Sequence, residues 1–500
     1  MPCIIDKNGF ILAKKFVSQE LHNLIKSDLI VCPELSTDYK TAVPFKVYKE
    51  DELNYYLPRG WALDNIDSDP IIKFKNKSKN IANITFKGCL RAHQVDIINT
   101  MINVFYNKKK CKLRSYAGGC IVIPPGKGKT VLGLCLACFL KRRTLIIVHK
   151  TFLLEQWIER ATSYTDANIG IICQNKVDIK DKQIVIGMLQ SLNSRDYGNI
   201  LDMFDLVIFD EVHHLGAEHF CKILQKSNRP YLLGLTGTPE RKDKMEKIFY
   251  WYIGPISYRM EHKVDQNVKI QIYKFNMDNN IKFKMLYNNY TKKYNFSKMI
   301  SNLTEINERN ELIVKIIQNT LIEASERQIF LLTNRRDHLI ELKKKLDEIY
   351  GTENVAFYKG GMKKEDLKIS ESKRIILGTY EMASEGLDIE DLDTLILATP
   401  KSDIVQSIGR IMRKNKNDYI NTPLIIDIYD QLPIYMAMAK NRIKIYKQNY
   451  LQNNKDMVFY ECNDETKFDI IRTSYVEVPW SDETILTKDD YKSMFDSDSD

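Results

Sequence analysis

The chain has 500 residues, 44% of them hydrophobic and 28% charged, and its formal net charge is +9. This composition excludes a disordered chain, and the longest apolar run, Val131–Leu140, is too short to cross a bilayer, so we expect a soluble intracellular protein without a membrane partner. The basic balance suits a polyanionic partner without establishing one, because surface lysines also keep proteins soluble.

The two ends of the chain differ in character from its middle. Residues 1–85 contain short, mixed apolar runs, and we interpret them as an N-terminal accessory domain. Within them, the pattern over Val43–Trp61 predicts strands around a turn at Pro58–Gly60. Residues 446–500 are polar and tyrosine-rich and end in SMFDSDSD, which is typical of a C-terminal extension with a frayed acidic tail.

Between the ends, two sets of continuous apolar runs predict buried parallel strands. The first set is Cys120–Ile123, Leu145–Val148, Gly170–Cys173, Ile184–Gly187, Leu206–Phe209 and Tyr231–Leu235. The second set is Ile329–Leu332, Val355–Tyr358, Ile375–Leu377, Thr394–Leu397 and Leu424–Ile428. Helical patterns alternate with the strands, so we predict an α/β fold with two tandem doubly wound parallel-sheet domains. These domains cover residues 86–262 and 299–445, and a connector covers residues 263–298.

A glycine-rich segment, PPGKGKT at Pro124–Thr130, follows the first apolar strand and opens an apolar helical run. Backbone N–H groups of such a loop surround phosphates. The expected ATP-binding residues are Pro125, Gly126, Lys127, Gly128, Lys129 and Thr130. Lys129 would reach the β and γ phosphates, and Thr130 would hold Mg²⁺. Ile123 stands where the longer eight-residue pattern has its first glycine, so only the shorter G-x-G-K-T form is present.

A second charged segment, FDEVHH at Phe209–His214, ends another apolar strand. Asp210 is a candidate Mg²⁺ ligand, and Glu211 is a candidate to polarise the attacking water in phosphoryl transfer. We expect His213 to hydrogen-bond toward Thr236 or Thr238 in the next strand end, LTGTPER, and thereby to couple the nucleotide site to the rest of the protein.

Further candidates lie upstream and in the second domain. Gln94, about thirty residues before the phosphate loop, is a candidate to read adenine, with a plain helix start as the alternative. In QSIGRIMRK, Arg410 and Arg413 are candidates to neutralise charge on the γ-phosphate, so that a nucleotide is clamped between two domains. In SEGLDI at Ser384–Ile389, Asp388 would face the nucleotide and Gly386 a nucleic-acid backbone, with a simple turn as the alternative.

Cysteine and histidine usage favours no metal site. The C-x-x-C pair, Cys135 and Cys138, lies in the helix expected after the phosphate loop, where packing explains it better than redox or zinc chemistry. We expect reduced thiols and surface roles for His214 and His219.

Taken in order, these motifs resemble those of superfamily 2 helicases. LRAHQ resembles the adenine-reading Q element, and PPGKGKT and FDEVHH resemble motifs I and II. LGLTGTPER, ILGTYEMASEGLD and QSIGRIMR resemble motifs III, V and VI, although Gly237 replaces the usual alanine of motif III. The DEVH box resembles that of the XPB-type helicases. LILATPKSDIVQSIGRIMRK and IIDIYD are similar to the transcript-release helicases of poxviruses and other large DNA viruses, and to phage recombination helicases.

The resemblance implies two RecA-like domains, with ATP and Mg²⁺ as cofactors and DNA or RNA as a partner that is held mainly through its phosphate backbone. The backbone-contacting residues that it implies are His149, Lys150, Thr151, Gln190, Thr333, Asn334, Arg335, Gly360, Thr379 and Gly386. It also implies ATP-driven 3′→5′ translocation and unwinding in viral transcription, repair or recombination. The transcription machinery is a further candidate partner, and the host cytoplasm or the virion is the candidate location.

Two other classes of function remain open at this point. One is a duplex translocase or ribonucleoprotein remodeller that hydrolyses ATP without separating strands. The other is a scaffold with an inactive nucleotide site, against which the presence of Lys129, Asp210, Glu211, Arg410 and Arg413 argues.

Overall fold

A computed structural model gives the three-dimensional structure of the chain. It describes residues 2–33, 43–74, 82–107, 112–124, 126–195, 197–213, 218–237, 239, 244–260, 268–277, 280–288, 293–385, 389, 391–402, 404–409, 420–451, 456–464 and 467–472. The chain divides into two compact units, Met1–Glu261 and His262–Asp500. Within the described residues, no helix is long and apolar enough to span a membrane.

The first unit begins with a small mixed sheet in the strand order β5-β6-β2-β1-β7. Its elements are β1 (Cys3–Asp6), β2 (Gly9–Ala13), α1 (Gln19–Leu29), β3 (Ile30–Val31), β4 (Phe45–Lys46), β5 (Lys49–Glu50), β6 (Asn54–Leu57), α2 (Arg59–Asn65) and β7 (Ile71–Ile72). Helix α1 begins where the Ser18 hydroxyl accepts a hydrogen bond from Leu21 N–H at 3.2 Å, and it buries Ile25 and Leu29.

A large sheet follows, in the order β13-β12-β14-β11-β15-β16-β10-β17. Its elements are α3 (Ala92–Phe105), β8 (Tyr106–Asn107), β9 (Lys112–Leu113), β10 (Ala117–Val122), α4 (Lys129–Leu140), β11 (Thr144–Val148), α5 (Thr151–Tyr164), β12 (Ile169–Cys173), β13 (Lys176–Asp178), β14 (Ile184–Met188), α6 (Leu189–Ser194), β15 (Leu206–Asp210), α7 (Glu218–Lys226), β16 (Tyr231–Thr236), α8 (Lys247–Ile253) and β17 (Ile256–Arg259). All pairs except β12–β13 are parallel. The five central strands, β14, β11, β15, β16 and β10, are almost wholly buried because both faces of the sheet are covered.

The second unit contains another large sheet, in the order β22-β23-β21-β24-β25-β18-β26-β27. Its elements are β18 (Lys269–Phe275), β19 (Tyr287–Asn288), β20 (Lys293–Tyr294), α9 (Phe296–Thr304), α10 (Asn307–Glu323), β21 (Ile329–Thr333), α11 (Arg336–Tyr350), β22 (Val355–Tyr358), α12 (Lys364–Glu371), β23 (Ile375–Thr379), α13 (Tyr380–Glu385), β24 (Thr394–Leu397), α14 (Val405–Ile408), β25 (Leu424–Asp430), α15 (Pro433–Asn449), β26 (Met457–Asp464) and β27 (Lys467–Arg472). Every strand predicted for the two sheets is present, which confirms the doubly wound parallel architecture.

The predicted turn at Pro58–Gly60 is wrong. Pro58 precedes helix α2, which packs against α8 of the same unit. Gly60 allows the close approach of these helices, because a Cβ at this position would lie 2.7 Å from the Trp251 carbonyl oxygen. The Pro-Arg-Gly sequence therefore starts a packed helix, with its glycine at the helix contact.

The N-terminal sheet shares an apolar core with one face of the first large sheet. Arg59, which is 4% exposed, joins the two layers. Its guanidinium donates to the Arg229 carbonyl at 2.7 Å and to the Ala117 carbonyl at 2.9 Å. Burial lowers the pKa of Arg59 to about 10, so the side chain is still charged at neutral pH. The N-terminal sheet and the first large sheet are therefore fixed to each other.

The large sheet of the second unit includes strands from the predicted connector and from the predicted C-terminal extension. Strand β18 lies within the predicted connector, yet it is an inner strand that pairs in parallel with β25 and β26. Strands β26 and β27 lie within the predicted C-terminal extension and form one edge of the same sheet. The acidic tail lies outside the described residues.

Candidate nucleotide site and strand-end loops

The carboxyl ends of neighbouring parallel strands bring the predicted nucleotide-binding residues to one edge of the first large sheet. The phosphate loop follows β10, Asp210 ends β15, and Thr236 ends β16. Strand β16 pairs with both β10 and β15. Loops at this edge of a doubly wound sheet are where such folds bind ligands.

Two glycines give the phosphate loop its shape. Gly126 has φ 79° and Gly128 has φ 87°, in the left-handed region that favours glycine. A Cβ at residue 128 would also overlap the side-chain nitrogen of Gln94. Lys129 and Thr130 begin α4, so the N-terminal end of this 12-residue helix faces the loop. Backbone N–H groups and a helix N-terminus suit a phosphate ligand, and the residues present therefore fit ATP.

Gln94 supports the phosphate loop in this structure, and its predicted role as an adenine reader stays a prediction. Its side-chain oxygen accepts a hydrogen bond from Arg91 N–H at 2.9 Å, and its side-chain nitrogen donates to the Lys127 carbonyl at 3.1 Å. His93 Nε2 lies 3.3 Å from the same carbonyl. Because Gln94 is 3% exposed, its amide has little surface left to present to a base.

The Lys129 ammonium donates a hydrogen bond to Glu211 Oε1 in an ion pair between the phosphate loop and β15. The two side chains are 13% and 18% exposed. Glu211 has φ 48°, a left-handed conformation that is uncommon for a residue with a side chain. Such local strain is found at functional sites. The pairing shows that the predicted catalytic lysine and glutamate lie within direct contact.

Asp210 is held by a residue that the sequence did not indicate. Trp157 Nε1 of α5 donates to Asp210 Oδ2 at 2.8 Å, and Glu211 N–H donates to Asp210 Oδ1 at 3.0 Å. Burial, followed by the neighbouring Glu211 carboxylate, raises the pKa of Asp210 to about 6. A desolvated carboxylate beside the phosphate loop fits the requirements of a magnesium ligand, because the cation would offset its buried charge.

His213 makes the hydrogen bond that the sequence predicts. Its Nδ1 atom lies 2.9 Å from Thr236 Oγ1 at the end of β16. The same nitrogen lies 3.6 Å from Glu211 Oε2. His213 therefore connects the carboxylate of β15 to the end of the next strand, while Thr238, the other predicted partner, lies outside the described residues.

The loops after β11 and β14 contain the predicted nucleic-acid contacts of the first unit. Gln190 donates through its side-chain nitrogen to the His149 carbonyl at 2.7 Å, so the two loops are joined. Lys150 is half-buried, and Thr151 is exposed at the start of α5. Burial, with a smaller effect of Lys150, lowers the pKa of His149 to about 4. His149 is therefore neutral at neutral pH and offers a hydrogen bond to a phosphate but no positive charge.

Two of the predicted contacts in the second unit also make hydrogen bonds within that unit, and their predicted contacts with nucleic acid stay predictions. Thr333 is fully buried, and its hydroxyl lies 2.9 Å from His338 Nδ1, so this side chain holds its own loop together. The Arg335 guanidinium donates to the Ser297 carbonyl at 2.8 Å and to Ser301 Oγ at 3.2 Å, so it is bound to α9. Both side chains therefore have partners within the second unit.

The other predicted contacts of this unit lie at strand ends. Asn334 follows β21, Thr379 ends β23, and Gly360 follows β22. Thr379 and Gly360 are half-buried. Pro125, Thr238, Gly386, Asp388, Arg410 and Arg413 lie outside the described residues, so their predicted roles stay predictions.

Comparisons with known protein families agree with this geometry. Residues 87–241 match the family model described as the type III restriction enzyme, res subunit, and residues 308–415 match the helicase conserved C-terminal domain. The chain is 37% identical over 461 residues to a protein of Acanthamoeba polyphaga mimivirus that carries the provisional name of an ATP-dependent RNA helicase. This alignment covers 90% of the chain and 85% of the relative. The chain belongs to the superfamily 2 helicases.

This helicase resembles further proteins over shorter stretches. It is 37% identical over 163 residues to the DNA 3′-5′ translocase XPB2 of Sulfurisphaera tokodaii, covering 30% of the chain and 36% of that protein. Among solved structures, the fragment of a provisionally assigned HsdR subunit of a type I restriction enzyme from Vibrio vulnificus YJ016 matches with a TM-score of 0.51 and 16% identity. That match covers 75% of the chain and 70% of the fragment and shows the fold alone. The two large sheets are those of tandem RecA-like domains, and the chain is an ATP-dependent helicase.

Proposed function

We propose that this helicase uses ATP and Mg²⁺ at the strand-end edge of its first large sheet to move along a nucleic-acid strand held through its phosphate backbone. The observation that carries the proposal is the direct contact of Lys129 with Glu211, beside Asp210 and the loop that contains Gly126 and Gly128. These groups provide a phosphate cradle, a cation ligand and a base within one edge of a sheet.

Each residue has a distinct proposed task. The loop glycines and Lys129 would hold the phosphates, Thr130 and Asp210 would hold Mg²⁺, and Glu211 would orient water. Bound Mg²⁺ would neutralise charge on the phosphates. Lys129 donates a hydrogen bond to Glu211 Oε1 in this structure. When Lys129 instead contacts a phosphate, Glu211 Oε1 would accept a hydrogen bond from water in its place. Arg410 and Arg413 supply further positive charge for hydrolysis.

The strand contacts in the first unit are the loops that follow β11 and β14. Their joining hydrogen bond, from Gln190 to the His149 carbonyl, keeps Lys150 and Thr151 next to a second polar strand end. Hydroxyl, amide and lysine side chains of this kind bind phosphates without reading sequence. Affinity for nucleic acid is expected to fall steeply with salt, because phosphate contacts release counterions.

The subtype and the biological role rest on the relatives. The match to an XPB2 translocase supports an XPB-like motor, and the mimivirus relative supports a role in viral transcription, repair or recombination. One relative is named for RNA and the other for DNA. We propose that the phosphate backbone, which both share, is the recognised feature, and that the enzyme works in the host cytoplasm or the virion.

The test is the ATPase rate of the full chain with no nucleic acid, then with single-stranded and double-stranded DNA and RNA, each alongside Lys129→Ala. Strong stimulation by one class that is lost in the variant supports the proposal and names the substrate. Flat turnover with every nucleic acid contradicts it.

A second candidate function is a duplex translocase that does not separate strands. The name of the XPB2 relative, a DNA translocase, favours it. Displacement of a labelled strand from a partial duplex separates the two, because a pure translocase hydrolyses ATP on the duplex and leaves it paired.

A further inference from the structure

Four consecutive backbone carbonyls after β24 each accept a hydrogen bond from a different side chain. The segment is Ala398–Lys401, called here the carbonyl segment. Its contacts are Arg309 Nη2 to Ala398 O at 2.8 Å, Tyr380 Oη to Thr399 O at 2.7 Å, Asn334 Nδ2 to Pro400 O at 3.2 Å and Arg442 Nη1 to Lys401 O at 2.8 Å. The four donors come from four different elements, so the position of the segment depends on all of them.

Two of the donors are themselves immobilised by buried ion pairs. Arg309 contacts both carboxylate oxygens of Asp430, at 2.6 Å and 2.8 Å, and Arg442 contacts both oxygens of Asp427, at 2.8 Å. Both aspartates lie on β25, three residues apart, so their side chains leave opposite faces of the sheet. The two arginines therefore approach the carbonyl segment from opposite faces of the sheet, and their ion pairs fix their positions.

The other two donors lie at strand ends where the resemblance implies nucleic-acid contacts, at Asn334 itself and at Tyr380, the first residue of α13. Asn334 follows β21, and its backbone N–H also donates to Thr399 Oγ1 at 3.0 Å. Tyr380 directly follows Thr379 at the end of β23. Strand β21 pairs with both β23 and β24, so Asn334, the start of α13 and the carbonyl segment share one edge of the second sheet.

The chain that leaves the carbonyl segment leads to the arginine motif. Helix α14 begins at Val405 and ends at Ile408, two residues before Arg410. Ile404 and Ile408 are fully buried in the same apolar core as Tyr380 and Tyr446. A displacement of the carbonyl segment is therefore carried into α14 through the backbone and through a close-packed core.

We propose that Asn334 and Tyr380 are positioning residues that transmit strand binding at the ends of β21 and β23 to the arginine motif, through their hydrogen bonds to the carbonyl segment. The inference rests on the proposed function and deepens it. Arg309 and Arg442, with their aspartates, hold the segment in place. Asn334 and Tyr380 adjust the position of the segment when a nucleic-acid strand contacts the ends of β21 and β23. The role of Asn334 thus becomes support of the segment, in place of the direct phosphate contact implied by resemblance.

Tyr380→Phe removes the hydroxyl that donates to the Thr399 carbonyl and keeps the buried ring. We expect the nucleic-acid-stimulated kcat to fall about threefold to tenfold, which is the size of one hydrogen bond. The polynucleotide concentration that gives half-maximal stimulation should not change. Asn334→Ala, at a half-buried position, should act in the same way, and it provides a second variant if Tyr380→Phe fails to fold. The double variant should lose more than either single variant.

Tyr435→Phe is the matched control. Tyr435 is 1% exposed and lies in the same unit, but its hydroxyl has no hydrogen-bond partner among the described residues. This control should keep the stimulated kcat of the wild-type chain.

Three results would overturn the inference. In the first, the stimulated kcat is unchanged in both single variants and in the double variant. In the second, Tyr435→Phe lowers the stimulated kcat as much as Tyr380→Phe does. In the third, kcat is kept while the half-stimulating concentration rises, which would assign these residues to strand binding. Absence of stimulation in the wild-type chain is a separate outcome, which would overturn the proposed function and the inference with it.

Discussion

The phosphate loop of the first unit and the carbonyl segment of the second unit both follow parallel strands, yet charge is used differently at each. Lys129 and Glu211 form a single contact at a partly exposed edge, with side chains 13% and 18% exposed. Arg309 with Asp430 and Arg442 with Asp427 are bidentate pairs with side chains no more than 2% exposed. A pair that must exchange partners during a reaction needs access to ligands, whereas a pair that fixes a backbone gains from burial and two-point geometry.

The largest effect is expected where the charges take part in the reaction. Lys129→Ala removes the ammonium that would hold the phosphates, and the kcat for ATP should fall on the order of a thousandfold. The melting temperature should stay close to the wild-type value, because only one partly exposed contact is lost. A variant that kept wild-type turnover would show that this loop is not the nucleotide site.

The buried pairs should show the opposite pattern, with a large effect on stability. Asp427→Ala leaves the buried Arg442 charge without its carboxylate and should lower the free energy of unfolding by about 3–5 kcal/mol. This loss in the free energy of unfolding is measured by denaturant unfolding, with a spectroscopic probe in the second unit. Lys282→Ala is the matched control, since the Lys282–Glu305 pair is 47% and 55% exposed and should be worth less than about 1 kcal/mol. Equal losses in the two variants would contradict the distinction.

A buried histidine near the carbonyl segment makes the stability of the second unit pH-dependent. His338 lies between Thr333 Oγ1 and Asn310 Oδ1, each 2.9 Å from a ring nitrogen. Burial, with a smaller effect of Arg309, lowers the pKa of His338 from 6.5 to about 3. The unfolded chain therefore binds a proton below pH 6.5 that the folded chain does not. This contribution to stability is complete above pH 6.5 and is lost as the pH falls toward 3.

Protonation of the unfolded chain at His338 is expected to lower the free energy of unfolding by about 2 kcal/mol at pH 5. Unfolding of the wild-type chain and of His338→Gln across pH 5 to 8 measures it. The part of the pH dependence of the free energy of unfolding that is due to His338 should be absent in the variant. If both proteins show the same pH dependence, His338 does not carry the effect.

The smallest of these effects concerns the group that holds Asp210. Trp157→Phe keeps an aromatic ring but removes the indole N–H that donates to Asp210 Oδ2. We expect kcat to fall by about tenfold or less, with a higher Mg²⁺ concentration needed for half-maximal rate. A change in stability without any change in the Mg²⁺ requirement would assign Trp157 to packing alone.

The sequence predicts the strands of both large sheets because buried parallel strands are continuous apolar runs, as in Leu206–Asp210. It does not predict β18, since KIQIYKF alternates polar and apolar residues although the strand is an inner one. The contact partners of the phosphate loop follow from motif order, and Lys129, Asp210, Glu211 and His213 lie where the motifs place them.

Other features depend on side chains brought together by the fold. Trp157 reaches Asp210 from a helix 53 residues away, and the four donors of the carbonyl segment come from four elements. The spacing of residues within a short motif does not predict contacts between residues so far apart in the sequence. The sequence does not predict the helix after Pro58, because a proline two residues before a glycine suits a turn as well as a helix start.

The measurement that tests the central claim most directly is displacement of a labelled strand from a partial duplex, with ATP, by the wild-type chain and by Glu211→Gln. Glu211→Gln keeps the size of the side chain and removes the charge that would orient water, so the variant should bind ATP and fail to hydrolyse it. The account predicts ATP-dependent displacement by the wild-type chain and none by the variant. Equal displacement by both proteins would contradict it, because unwinding would then not depend on hydrolysis at this site.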